Sequence, residues 1–213
     1  MEIKTVDKGL AESLLKEYKT EDLVFCLQQI GVINTEEILI SYNDLTPWQR
    51  GGAETYNATA NIKLQSSEIK LIAKALISMA TPPDRQLADW NRRRTAIKAL
   101  GIATPDLFSS GNGAIYEAYI AEDFDIASAT LPNQILEQLG FIAGKLDKSG
   151  FATIAFSRDL RHQDNQLYYV DFGSDLGEAS NQPTTTAWLH LQAKLTNNQV
   201  EILRVSYDNS LNS

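Results

Sequence analysis

With 213 residues, 43% of them hydrophobic and 22% charged, the chain has the composition of an ordinary globular protein long enough to bury a real core. The formal net charge of −8 disfavours a nucleic-acid partner, and the single cysteine, Cys26, excludes an internal disulfide and any cysteine-based metal cluster. No apolar run approaches a membrane span and the opening MEIKTVDKGL has no apolar signal core, so a cytoplasmic protein with no membrane partner is expected.

In chain order, residues 7–30 read as two short helices, the first on Leu10, Leu14, Leu15 and Tyr18, the second on Leu23, Val24, Leu27 and Ile30. Cys26 lies beside the second apolar face and reads as a packed residue rather than a nucleophile. Residues 36–45 read as a strand feeding the loop TPWQRGGAE, where Gly51 and Gly52 permit a tight turn with exposed N–H groups. Alternation at Tyr56, Ala58, Ala60, Ile62 and Leu64 predicts a half-buried strand over 55–64. A further strand covers 69–76, in which Lys74 interrupts an apolar run. Such a lysine is either at a sheet edge or turned inward for an anionic partner.

After Pro82-Pro83 a helix is expected from Asp84 to about Leu100, with Leu87, Trp90, Ile97 and Leu100 as its apolar stripe and Arg92 and Arg93 on a solvated face. Two short strands flank Gly111-Asn112-Gly113. From Pro132 a second helix carries Ile135, Leu136, Leu139, Ile142, Ala143 and Leu146 on one face and stops at Gly150. A hairpin follows, SRDLRH turning at Gln163-Asp164-Asn165 into LYYVDFG. The strand 167–170 delivers Asp171, then an aromatic plug, Phe172, and a permissive Gly173: an arrangement suited to holding a metal-bound phosphate. Beyond Pro183, TTAWLHLQAKL and QVEILRVSY both alternate and predict a β-hairpin around Thr196-Asn197-Asn198, with His190 on it. His162 and His190 read as surface histidines.

The order of these parts resembles the compact protein-kinase-like folds: aminoglycoside phosphotransferases, RIO kinases and the small kinase of the KEOPS tRNA-modification complex. QRGGAET looks like the glycine-rich loop over nucleotide phosphates, which would give Gly51 and Gly52 to the cofactor. IAK at 72–74 looks like the third-strand V-A-I-K and makes Lys74 the phosphate lysine. IYEAYI, 115–120, resembles the hinge strand that meets adenine, bringing in Glu117 and Tyr119, and VDFG resembles the metal-binding motif with Asp171 as ligand. The implied fold class is α+β, with a helical extension over 1–35, a small antiparallel-sheet N-lobe over 36–120, and a reduced C-lobe over 121–213 ending in a β-hairpin. ATP and magnesium are the implied cofactors.

The departures bear on function. The loop lacks the full G-x-G-x-x-G pattern, and no glutamate occurs between Lys74 and Gly101, leaving Asp89 as the best substitute partner for the lysine. Counting from Gly150-Phe151 puts Thr153-Ile154-Ala155 where a His-Gly-Asp triplet belongs, and Ala155 cannot act as a base. The rival alignment takes Ser157-Arg158-Asp159-Leu160 as H-R-D-L, with Asp159 as base and Asp164 as a second metal ligand. Only twelve positions then separate Asp159 from Asp171, and both the catalytic loop and a hairpin must fit there. The first alignment is preferred. It implies a degenerate, pseudokinase-type nucleotide-binding or regulatory module working with a protein partner or as a homo-oligomer. An active phosphotransferase and a ligand-free structural adaptor are the alternatives.

Overall fold

A computed structural model describes residue 28 and residues 33–50, 55–76, 83–111, 114–126, 131–154, 156–174, 176–178 and 185–213. Apart from residue 28, the helices expected over 7–30 lie outside the described residues, as do Cys26, Gly51, Gly52 and Ala155. The chain divides into two compact units: residues 1–90 with 105–119, and residues 91–104 with 120–213.

The first unit is built on a five-stranded antiparallel sheet. Its strands are β1 (Leu39–Arg50), β2 (Thr55–Leu64), β3 (Glu68–Leu76), β4 (Leu107–Gly111) and β5 (Ala114–Ala118), in the order β1-β2-β3-β5-β4. The alternation of β2 puts Ala58, Ile62 and Leu64 into the core. Strand β3 is flanked on both sides, and Leu71, Ala73, Ala75 and Leu76 are all buried. Burial at successive positions suits a strand covered on both faces.

Helix α1 (Pro83–Ala99) carries the boundary between the units after Trp90. In the second unit, β6 (Glu122–Asp123), β8 (Leu160–Gln163) and β9 (Gln166–Tyr169) form one small sheet, and β7 (Phe151–Thr153) pairs with β10 (Leu176–Glu178). The β8–β9 turn holds Asp164 and Asn165 at φ 50° and 62°. Two successive left-handed residues make the two-residue turn whose twist matches the flanking strands. Helix α2 (Asn133–Lys148) buries all six apolar residues predicted for its stripe.

The C-terminus corrects the sequence reading. In place of a β-hairpin, the chain forms helix α3 (Thr186–Gln192) and helix α4 (Asn197–Asn212). Leu203, Tyr207 and Ser210 are the buried residues of α4, a spacing of four and three that belongs to a helix. A capping box, in which Thr196 and Gln199 satisfy each other's backbone ends, starts it. The start of α3 is held from far away in sequence: Asp147 accepts from the N–H groups of Ala187 (2.9 Å) and Trp188 (3.0 Å) and from the Tyr207 hydroxyl (3.0 Å). This carboxylate satisfies orphan donors at a helix end and sits where the helix dipole favours negative charge. The two helices α2 and α4 pack backbone to backbone at Gly140 and Gly144. A Cβ at Gly144 would lie 2.6 Å from the Tyr207 carbonyl oxygen.

Candidate active-site residues

Lys74 occupies the middle of a five-stranded sheet, so it is no edge residue: it is 8% exposed and turned inward. The β3–β5 register pairs Ile72 with Glu117 and Lys74 with Ile115, which puts Lys74 and Glu117 on one face of the sheet. Their side chains form an ion pair, with Glu117 only 1% exposed. Beyond Lys74, neither carboxylate oxygen of Glu117 accepts a hydrogen bond among the described residues. The resemblance gave Glu117 to a hinge strand that meets adenine through backbone groups; its carboxylate lies beside the lysine. The Tyr119 N–H donates to the Lys70 carbonyl at 3.0 Å, and the Ala118 N–H to that of Asp106 at 2.8 Å, so both backbone donors are used inside the sheet unit. Asp89 is half-buried on α1.

In the second unit, β9 ends at Tyr169 and the Val170 N–H donates to the Asp159 carbonyl at 2.8 Å. The half-buried Asp171 follows. Its Oδ1 accepts from the Gly173 N–H at 2.9 Å, which folds the Asp-Phe-Gly segment into a tight turn. Phe172 is fully buried, its ring centroid 5.8 Å from that of Tyr169. Arg93 Nη1 donates to the carbonyls of Gly173 (2.9 Å) and Phe172 (3.3 Å). The expectation that Arg93 lies on a solvated face is thus corrected: it is half-buried, drawn in by two backbone acceptors.

Asp159 is 2% exposed. Its Oδ2 accepts from the Tyr169 hydroxyl at 3.0 Å and faces Thr153 Oγ1 at 3.4 Å. Burial first, and then the neighbouring Asp159 carboxylate, push the Tyr169 hydroxyl well above its ordinary value, so Tyr169 stays a neutral donor. Next to it, Ser157 accepts from Lys194 Nζ at 2.8 Å, and Phe156 is fully buried. Asp164 is exposed at the tip of the β8–β9 turn and accepts a long contact, 3.4 Å, from Gln163 Nε2. Strand β9, about 13 Å long at some 3.3 Å per residue, separates that tip from Asp171, so the two carboxylates are not brought together. His162 and His190 are half-buried, and His190 lies on α3 rather than on a strand.

Among the described residues, no three His, Cys, Asp or Glu side chains gather as a metal cage. Magnesium seldom needs one, since it commonly takes one or two carboxylates and completes its shell with phosphate oxygens and water. Asp171, oriented by its own turn, therefore fits a magnesium ion carried by a nucleotide. Sequence reasoning missed Glu117 as the lysine's partner, Arg93, and the Thr153–Asp159–Tyr169 cluster. Only strand register would have found the first. Arg93 meets its acceptors across 79 and 80 positions, whereas the cluster closes locally, Thr153 six and Tyr169 ten positions from Asp159, through the pairing of β8 with β9.

No protein-family model matches the chain, and no curated protein matches it by sequence. Among solved structures, the macrolide 2′-phosphotransferase from Brachybacterium faecium, an apoenzyme, superposes with a TM-score of 0.53 at 11% identity, over 89% of this chain and 83% of that one. A protein named as a fructosamine-3-kinase from Thermobifida fusca gives a TM-score of 0.46 at 11% identity, over 82% and 80%. No described helix is long and apolar enough to cross a membrane. The fold is a mixed α and β one of the protein-kinase-like kind.

Proposed function

We propose that the chain is a kinase-like, nucleotide-binding module that has lost efficient phosphotransfer. The observation that carries this reading is the state of Asp159, the acid that the rival alignment offers as base. At 2% exposure, with Tyr169 donating to it, that carboxylate is buried and already engaged by the protein. A general base must come within about 3 Å of the proton it removes, and this one is committed to the interior. Lys74, paired with Glu117, keeps a cation for nucleotide phosphates, and Oδ2 of Asp171, not used in the turn, keeps a ligand for the accompanying ion. When bound, ATP with magnesium would supply a phosphoryl group whose charge the ion offsets. With little chemistry of its own, such a module would act through a protein partner or a second copy of itself.

The likeness to a macrolide 2′-phosphotransferase favours one rival, an active enzyme that phosphorylates a small-molecule hydroxyl with Asp159 as base. Thermal denaturation with ATP plus Mg²⁺ or Mn²⁺, combined with single-turnover γ-phosphate release, separates the two. Stabilisation that grows with nucleotide concentration, and a release rate equal in wild type and Asp159→Ala, is the expected result. A fall of about 10²-fold or more in the variant would establish the enzyme. Absence of any stabilisation would remove the nucleotide from the account.

A further inference from the structure

Helix α1 supplies no glutamate to Lys74, yet one of its side chains is built into the turn that carries the candidate metal ligand. We infer that Arg93 is the positioning residue for Asp171, holding the Asp-Phe-Gly turn in the shape that presents the free carboxylate oxygen to a nucleotide-borne divalent ion. The inference rests on the nucleotide-binding reading above.

Three contacts define the turn. The Asp171 Oδ1 acceptor closes it on the Gly173 N–H, which leaves Oδ2 as the carboxylate oxygen not engaged there. The buried Phe172 ring, tilted against Tyr169, anchors its middle. Arg93 Nη1 then ties down the carbonyls of Phe172 and Gly173 together. A carbonyl accepting from a guanidinium makes a charge-assisted bond, stronger than a neutral one. With both carbonyls held, rotation of the Phe172–Gly173 peptide, which carries the Phe172 carbonyl and the Gly173 N–H, would break an Arg93 bond together with the one to Asp171. A glycine in this place would otherwise leave the backbone free to swing and carry the carboxylate with it. The side chain therefore acts on the metal without touching it. Such outer residues commonly change metal affinity when lost.

Two measurements test this. In the protein without nucleotide, amide hydrogen exchange at Gly173 should quicken in Arg93→Gln and be partly restored in Arg93→Lys, which can still donate to one carbonyl. Unchanged exchange overturns the clamp, whatever the protein binds. Calorimetry then compares ATP affinity with Mn²⁺ and with chelator. Wild type should gain from the metal, Arg93→Gln should lose about 10- to 100-fold of that gain and keep the metal-free affinity, and Arg93→Gln with Asp171→Asn should be no worse than Asp171→Asn alone. Loss of metal-free and metal-dependent affinity to the same degree would mark Arg93 as a structural residue only, and overturns the inference. A wild type that binds ATP without any gain from metal overturns the role given to Asp171 and this inference with it. A wild type that binds no ATP overturns the nucleotide-binding reading itself and leaves Arg93 with no ion to serve.

Discussion

Lys74 and Glu117 stand on neighbouring strands, two positions out of direct register, and meet as a buried ion pair on one face of the sheet. The strand register itself brings both charges together. Removing one partner of such a pair strands the other charge in the interior. Glu117→Ala should therefore destabilise the protein by about 3–5 kcal/mol, read as a lower urea midpoint. A midpoint unchanged from wild type would mean that water reaches Lys74 freely.

Lys74→Ala removes the proposed phosphate contact. ATP affinity should fall by about 1–3 kcal/mol, while adenosine, which has no phosphates, should bind as before. Equal losses for both ligands would show that the lysine supports the fold and not the phosphates.

Tyr169→Phe takes away the hydroxyl that donates to Asp159 and leaves a buried acceptor short of one partner. A loss of about 1–3 kcal/mol is expected. The pH dependence carries a second signature. The folded-state value of Tyr169 is raised, so its contribution is complete below its ordinary value near 10 and is lost as the pH rises beyond it. Stability above pH 10 should consequently fall more steeply in wild type than in Tyr169→Phe. Parallel curves would contradict the burial of this hydroxyl.

Asp147 gives the corresponding effect on the acid side. Burial raises its carboxyl above the ordinary 3.8, with the bonds from Ala187, Trp188 and Tyr207 opposing the rise. The stability linked to its proton is complete below that ordinary value and is lost as pH climbs through the raised one. Compared with Asp147→Asn, which does not titrate, wild type should gain stability as pH is lowered from neutrality towards 4. Chemical denaturation across that interval reads the difference, and its absence would place Asp147 in contact with water.

Gly144→Ala tests the seam between α2 and α4. The added methyl would meet the Tyr207 carbonyl and the Ser210 side chain, and a carbonyl cannot move aside as a flexible side chain can. Overpacking of this kind costs about 1–3 kcal/mol, against a helix propensity that favours alanine over glycine by about 1 kcal/mol. A net loss of stability is expected; a net gain would mean that the two helices are free to part.

Local pattern was enough for much of the architecture. Strict alternation over 55–64, the apolar stripe at 135–146 and the Asp164-Asn165 turn each declare their structure within a few residues, because side-chain period and left-handed backbone preference are local properties. The C-terminal helices were not legible in the same way. QVEILRVSY alternates over a few residues, and it is Gly140 and Gly144 on α2 that make room for the helical face Leu203, Tyr207 and Ser210. The start of α3 likewise depends on Asp147, forty positions upstream of its first partner. For the candidate site, sequence order supplied Lys74 and Asp171 but not their neighbours. Glu117 reaches Lys74 through the pairing register of β3 with β5, and Arg93 reaches Gly173 across eighty positions. Ion pairs and hydrogen bonds act over a few ångströms in space. The chain brings such groups together only after its strands and helices have packed, so tertiary structure alone decided which charges would meet.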